Sequence, residues 1–139
     1  MTSVEFPPPA HARGDHLDTP VRELMSPGVL SIVEDASLRQ VLRALRRHRV
    51  HAVLVSGRAN GLSLGWVTTR GLLAWIERDH SLTVARDAIT EPPITIDPGA
   101  TVREAVSAMA REGVGRLLVA HRNNAMPEGV VSELDVLGV

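Results

Sequence analysis

Apolar residues recur along this chain at spacings that predict short strands and one-sided helices, in the same order twice. A β-branched run, VLSIV, begins at Val29, and a second, ITI, begins at Ile94. After each run, apolar residues recur at i, i+3, i+4 and i+7, which indicates a helix that buries one side. These residues are Leu38, Val41, Leu42 and Leu45 in the first copy, and Val102, Ala105, Val106 and Met109 in the second.

The strand-like segments HAVLV and GRLLV follow, then polar turns, and then the phrases GWVTTRGLL and GVVSELDVL. Each phrase predicts a strand that leads directly into a helix. One constant offset of 64 residues aligns the two copies, placing Ala36 on Ala100 and Gly65 on Gly129. Because the register never shifts, the chain is an internal duplication of a strand-helix-strand-strand-helix unit.

The boundaries of the two longer predicted helices also correspond. Ser37-x-x-Gln40 and Thr101-x-x-Glu104 have the spacing of a capping box, in which two side chains satisfy free N–H groups at a helix start. Gly113 is predicted to end the second helix in a left-handed conformation, which glycine adopts without strain. Arg49 stands at the matching position of the first copy, where the same conformation would carry strain.

The sequence therefore predicts an α+β fold of two tandem β-α-β-β-α repeats. Neither repeat can cover its small sheet and both helices alone, so the repeats are expected to pack face to face about a pseudo-two-fold axis. The predicted divisions are an extended tail or linker at 1–20, a first repeat at 21–80 and a second at 81–139. The tail contains three consecutive prolines, Pro7, Pro8 and Pro9.

Composition and charge exclude several classes of protein. The chain has no cysteine, which excludes disulfides and thiolate metal sites, and its net charge of -1 argues against a protein coated with nucleic acid. No signal peptide is recognised and no apolar run approaches the ~18 residues of a membrane span, so a cytoplasmic location is expected. We find no nucleophile–base–acid set, no metal-ligand cluster and no Walker-type phosphate loop, and predict no enzymatic activity.

The ordered set of segments resembles the paired CBS domain, or Bateman module. The segments that carry the resemblance are VRELMSPGVLSIVEDASL, HRVHAVLV and GWVTTRGLL, followed by ITIDPGATVREAVSAMAREGVGRLLV and GVVSELDVL, so that it covers Val21 to Val139. The resemblance implies a regulatory, non-catalytic module with two clefts between its halves. Such modules bind adenosyl compounds such as AMP, ADP, ATP or S-adenosylmethionine, form homodimers and pass ligand occupancy to a regulated protein.

Two residues of the second phrase are suited to a nucleotide. Ser132 stands where a strand gives way to a helix, and Asp135, one turn later, is an acceptor-only carboxylate able to bind both hydroxyls of a ribose. The resemblance places Arg116 near phosphate and four residues of the first repeat around the base: Val29, Leu30, Val50 and His51. The same Ser-x-x-Asp spacing is also a capping box that needs no ligand. From the residues alone, the cap and the ribose contact are equally favoured.

The first phrase has Thr68 and Gly71 at the positions of Ser132 and Asp135. A glycine cannot hold a ribose, so the first cleft, formed by Thr68, Ile94 and Thr95, is expected to bind more weakly or to be empty. The first long helix also carries four arginines on one side: Arg39, Arg43, Arg46 and Arg47. We interpret them as a solvated face, because no aromatic residues interleave them as in many nucleic-acid-binding surfaces.

The predicted function is thus a stand-alone regulatory module that senses an adenine nucleotide or another adenosyl ligand in a cleft between its repeats. Two alternatives remain open at this stage. One is a ligand-free dimerisation or interaction scaffold in which both clefts have decayed. The other is weak nucleic-acid binding through the arginine-rich first helix. The expected assembly is a homodimer, because the second helices carry apolar residues, including Trp75, beyond those that two small sheets can cover.

Overall fold

The computed structural model describes residues 16–79, 81–121 and 126–138. It divides into two compact units. The central unit is Gly28–Pro93, and the terminal unit joins the described residues up to Pro27 with those from Ile94 onward. The strands and α-helices are β1 (Ser26–Pro27), β2 (Ser31–Val33), α1 (Leu38–His48), β3 (Ala52–Ser56), β4 (Ser63–Thr68), α2 (Thr69–Leu72), β5 (Thr95–Ile96), α3 (Val102–Glu112), β6 (Arg116–Val119), β7 (Gly129–Ser132) and α4 (Glu133–Leu137).

The predicted α+β repeat order is confirmed, with some shorter elements. Strand β2 starts two residues later than the run at Val29, and β5 covers only two residues of its run. Helix α2 is a single turn that continues as a 3-10 turn at Leu73–Trp75. Three further 3-10 turns lie at His16–Asp18, Val21–Glu23 and Ala85–Ala88.

Each unit is built on one small mixed sheet. In the central unit the strand order is β2-β3-β4, with β2 parallel and β4 antiparallel to β3. In the terminal unit the order is β1-β7-β6-β5, with β5 parallel and β7 antiparallel to β6. Helices α1 and α3 bury their apolar sides in separate cores, in which Val41 and Ala105 respectively are fully buried. The two repeats therefore share one construction, as the constant offset predicts.

The helix boundaries form as the sequence indicates. The Gln40 N–H donates to Ser37 Oγ at 3.1 Å, and the Ser37 N–H donates back to Gln40 Oε1 at 2.8 Å, which completes the box. At α3, the Glu104 N–H donates to Thr101 Oγ1 at 3.2 Å. Gly113 ends α3 at φ 66°, and Arg49 ends α1 at φ 54°. The left-handed backbone of Arg49 lowers stability by about 1–3 kcal/mol. The end of α3 avoids this loss, because Gly113 adopts the same conformation without strain.

The two repeats exchange the segments that precede their first strands. The Val21 N–H donates to the Ala100 carbonyl at 2.8 Å, in the second repeat. The equivalent Ala85 N–H donates to the Ala36 carbonyl at 2.8 Å, in the first repeat. Both segments pack inward, since Val21 and Ala85 are fully buried. The compact units consequently change at Gly28 and Ile94, so that each unit contains the exchanged segment of the other repeat.

A glycine at the start of each repeated phrase lets the exchanged segment approach. A Cβ on Gly65 would lie 2.8 Å from the Glu91 carbonyl oxygen and would overlap the Ile89 side chain. A Cβ on Gly129 would lie 2.8 Å from Met25 Sδ and would overlap the Ser26 carbonyl oxygen. Contacts below 3.0 Å are essentially never made by a real Cβ, so both positions require glycine for space.

The described end of the predicted tail, residues 16–20, makes contacts within the terminal unit. His16 is buried, and its Nε2 donates to the Val136 carbonyl oxygen of α4 at 3.0 Å. The Thr19 carbonyl accepts the Val102 N–H at 2.9 Å. Residues 16–20 therefore belong to the terminal unit, because they satisfy backbone groups of α3 and α4. Residues 1–15, with the three prolines, lie outside the described residues.

Replacing Gly129 by alanine tests the close approach of the exchanged segment. Gly129 has no left-handed φ, so the change adds only the volume of a methyl group against Met25 and the Ser26 backbone. We expect a loss of about 1–3 kcal/mol in the free energy of unfolding, typical of overpacking, measured by urea denaturation. Gly99→Ala is the control, because its Cβ would meet only the movable ends of two side chains, the Asp97 carboxylate at 3.3 Å and Arg22 Nη1 at 3.7 Å. Equal stability of the two variants would contradict the interpretation.

Candidate functional site

Ser132 and Asp135 form a closed hydrogen-bonded pair at the start of α4. The Ser132 N–H donates to Asp135 Oδ2 at 2.8 Å, and the Ser132 hydroxyl donates to the same oxygen at 3.0 Å. The Asp135 N–H in turn lies 3.4 Å from Ser132 Oγ. The capping interpretation of this spacing is thus realised in the structure, and both side chains are half-buried.

The cap occupies only one of the two carboxylate oxygens. Oδ2 accepts both Ser132 donors, whereas Oδ1 makes no hydrogen bond to any of the described residues. A carboxylate has about four acceptor positions, so Oδ1 can still accept two hydroxyl groups. The cap therefore orients Asp135 without consuming the acceptor that a ribose would need.

The predicted residues of the terminal unit gather at one edge of its sheet. Arg116 begins β6 and lies directly opposite Ser132, the last residue of the antiparallel strand β7. Ile94 and Thr95 lie at the same edge, because β5 runs parallel to β6 and the Ile94 carbonyl accepts the Leu118 N–H at 2.9 Å. Ile94 packs partly on the core and Thr95 is exposed.

The predicted residues of the central unit gather at the matching edge of its own sheet. Val29 and Leu30 precede β2, and Val50 and His51 precede β3, which is parallel to β2. Leu30 and Val50 pack partly on the core, whereas His51 is exposed and its carbonyl accepts the Thr69 N–H at 2.9 Å. Thr68 ends β4 opposite Ala52 and so lies at this edge too.

The Thr68 position differs from its duplicate in more than the missing carboxylate. Thr68 is buried, accepts the Gly71 N–H at 3.0 Å and lies 3.3 Å from the Thr90 hydroxyl. A Cβ on Gly71 would lie 2.7 Å from Thr90 Cγ2 and 3.0 Å from Thr90 Oγ1. Thr90 thus occupies the space that an acidic side chain at position 71 would enter.

Two residues that matter here were not identified from the sequence. Thr90 is one, and its position opposite Gly71 follows only from the exchanged segment. The other is Glu133, the first residue of α4, whose carboxylate lies against Gly115, with Cδ 3.3 Å from the place of a Cβ on that glycine. Gly115 aligns with His51 in the duplication. A glycine aligned with a histidine is the one sequence signal that could have pointed to Glu133.

No three or more His, Cys, Asp or Glu side chains within the described part of the chain group as metal ligands would. No helix in that part is long and apolar enough to cross a membrane.

Comparisons with known proteins agree with this architecture. The chain is 29% identical over 131 residues to an uncharacterized 33.4 kDa protein in the ribosomal RNA operon of Thermofilum pendens. That match covers 84% of this chain and 42% of the relative, so the chain spans about two fifths of the length of the curated relative it matches.

Solved structures of paired repeats superpose over most of the chain. A CBS domain protein from Pyrobaculum aerophilum complexed with AMP is 25% identical with a TM-score of 0.74, covering 84% of this chain and 89% of that one. The CBS domain of the bacterial CNNM/CorC family Mg2+ transporter in complex with ATP is 24% identical with a TM-score of 0.77, covering 91% and 90%.

The CBS domain family model matches this chain at two tandem positions, residues 21–78 and residues 85–139. The matches coincide with the two copies that the constant offset defines, and together they take up most of the sequence. The chain therefore belongs to the CBS domain family and carries two tandem CBS domains.

Proposed function

We propose that this chain is a regulatory CBS pair that binds an adenosyl ligand through Asp135 and Ser132. The observation that carries the proposal concerns the Asp135 carboxylate, which Ser132 already orients and whose Oδ1 accepts no hydrogen bond from the described residues. A pre-oriented acceptor loses little conformational freedom on binding, which favours affinity. Arg116, at the same sheet edge, supplies the cation for a phosphate group.

The apolar part of the proposed site comes from the central unit. Val29, Leu30 and Val50 offer partly buried apolar surface for an adenine ring, and His51 adds an exposed ring whose nitrogens can donate or accept hydrogen bonds. We propose that these residues complete the cleft headed by Asp135. The AMP bound to the P. aerophilum protein and the ATP bound to the CNNM/CorC domain support an adenine nucleotide as the ligand class.

The proposed role is regulatory rather than catalytic, and it requires a partner protein that responds to occupancy of the cleft. Family membership supports this, since CBS pairs are regulatory domains. The second cleft, with Thr68, Ile94 and Thr95, is proposed to bind ligand weakly or not at all. Gly71 supplies no carboxylate there, and Thr90 fills the space beside Gly71 that a side chain at this position would enter. One ligand per chain is the resulting stoichiometry.

Asp135→Ala tests the ribose contact. A hydrogen bond to a charged group is worth about 1.5–3 kcal/mol, so affinity for the tightest ligand should fall by about 10- to 150-fold. The ligand is first selected among AMP, ADP, ATP, S-adenosylmethionine and NAD by thermal shift, since a ligand that binds only the folded state raises Tm. Titration calorimetry well below Tm then gives affinity and stoichiometry for both proteins.

The matched control for this variant is Asp87→Ala. Asp87 also accepts the N–H three residues before it, from Val84 at 3.2 Å, but lies outside the proposed site. Asp87→Ala should lower the free energy of unfolding through the lost hydrogen bond, as Asp135→Ala does, and leave the affinity for the ligand unchanged. Equal affinities of wild type and a folded Asp135→Ala protein would make Asp135 a helix cap only. No stabilisation by any of the five compounds would favour the ligand-free scaffold.

A double-mutant cycle at Gly71 and Thr90 tests the closure of the second cleft. Gly71→Ala should lower the free energy of unfolding by about 1–3 kcal/mol, because its Cβ meets Thr90. Thr90→Ala removes the two atoms in the way, so Gly71→Ala should cost clearly less in that background, with a coupling of about 0.5–3 kcal/mol. Additive effects in urea denaturation would show that Thr90 does not fill this space.

A further inference from the structure

Residues 16–20 satisfy end groups of both helices of the terminal unit, and we call them the N-terminal segment. The Thr19 carbonyl accepts the N–H of Val102, the first residue of α3, at 2.9 Å. His16 Nε2 donates to the carbonyl of Val136, in the last turn of α4, at 3.0 Å. The first N–H groups and the last carbonyls of a helix have no partner within it, so both contacts fill positions that the helices leave open.

His16 is buried to an extent that is unusual for a polar side chain in this protein. Among the described residues, the buried polar side chains are His16, which is 3% exposed, and Thr68. Thr68 lies at the second cleft, where it accepts the Gly71 N–H. His16 is therefore the buried polar side chain that the proposed function leaves without a role.

The position of α4 depends on contacts with other parts of the terminal unit. The helix has five residues, and a helix this short draws its stability from tertiary contacts rather than from its own hydrogen bonds. Ser132 and Asp135 close its start, and Val136 packs partly on the core. His16 holds the carbonyl of Val136, the residue next to Asp135. The contact of His16 thus acts directly on the helix that carries the proposed ribose acceptor.

The duplication repeats the sequence around His16. The offset of 64 residues aligns DHLDT at 15–19 with DHSLT at 79–83, so the aspartate, the histidine and the threonine occur in both copies. Residues 15 and 80 lie outside the described residues. Because the histidine precedes the exchanged segment of each copy, the duplicated sequence includes it.

We propose that His16 is a positioning residue for the ligand site. By holding the Val136 carbonyl, it fixes α4 and so the direction in which the Asp135 carboxylate points. The inference rests on the proposed function, since the site that His16 positions is the one at Asp135. Docking of the N-terminal segment and binding of ligand then favour each other by the same factor, because coupling between two equilibria is reciprocal. The chain before the first repeat thereby responds to occupancy of the site.

The positioning of α4 is tested first without ligand, by hydrogen exchange of the α4 amides. His16→Ala removes the donor, whereas His16→Gln keeps an N–H at a similar reach. Ser37→Ala is the control, because it removes a bond of the same kind, from the Gln40 N–H at 3.1 Å, in the central unit. Exchange should become faster in His16→Ala and stay near the wild-type rate in the other two. Unchanged exchange in His16→Ala would overturn the proposal.

The coupling to the ligand is tested by titration calorimetry with the tightest ligand of the five compounds. His16→Ala should weaken binding by about 2- to 30-fold, the range typical of residues that act on a site without touching the ligand. His16→Gln should restore most of this affinity, and Ser37→Ala should leave it unchanged. A loss of stability alone would lower the melting temperature of both alanine variants and would not be rescued by glutamine.

Reciprocity gives a measurement on the wild-type protein that needs no variant to fold. The Thr19 N–H donates to the His16 carbonyl at 3.1 Å, so its exchange reports undocking of the segment. Saturating ligand should slow this exchange by the factor that His16→Ala costs in affinity. Equal affinities of wild type and His16→Ala, or a Thr19 exchange rate that ligand does not change, would overturn the coupling. Failure of all five compounds to bind wild type would instead overturn the proposed function, and faster α4 exchange in His16→Ala would still support the positioning of α4.

Discussion

The close approach of backbone to backbone at Gly65 and Gly129 is the contact on which the rest of the structure depends. At each glycine, the segment from the other repeat lies against the strand that begins the repeated phrase. Each compact unit is thereby completed by residues distant in sequence. Val21 and Ala85 enter the two cores only because these strands can accept a neighbour at that distance. The glycines are kept in both copies, while residues around them have diverged.

Two differences between the copies lie at the helix start after the last strand and on the surfaces of the long helices. At the helix start, Asp135 retains an acceptor, whereas Gly71 is covered by Thr90. On the helices, the Arg43 and Arg46 positions of α1 became Ser107 and Ala110 on α3. Neither change touches a core residue, so the fold tolerates both. The duplicated framework thus carries two differences between its copies that leave its buried residues unchanged.

Local patterns in the sequence were sufficient for the repeat, the caps of α1 and α3 and the left-handed end at Gly113, whereas the left-handed end at Arg49 was only a conditional expectation. They were insufficient wherever distant segments meet. Periodicity reports which side of an element is buried and not which element covers it, so the exchange at Val21 and Ala85 was not predicted. For the same reason the hydrogen bond from His16, in the predicted tail, to the Val136 carbonyl was not predicted. The contact of Thr90 with Gly71 was not predicted either, because it depends on that exchange.

From the sequence, a helix cap and a ribose contact are competing interpretations of Asp135, because the carboxylate is counted as a single acceptor. The structure shows that the two oxygens are separate. Oδ2 accepts two donors from Ser132, at 2.8 and 3.0 Å, and these bonds fix the direction of Oδ1. A carboxylate that was free at both oxygens would need to be ordered on binding, at a cost in entropy. The interaction that stabilises α4 therefore also orients the acceptor that the proposed ribose contact requires.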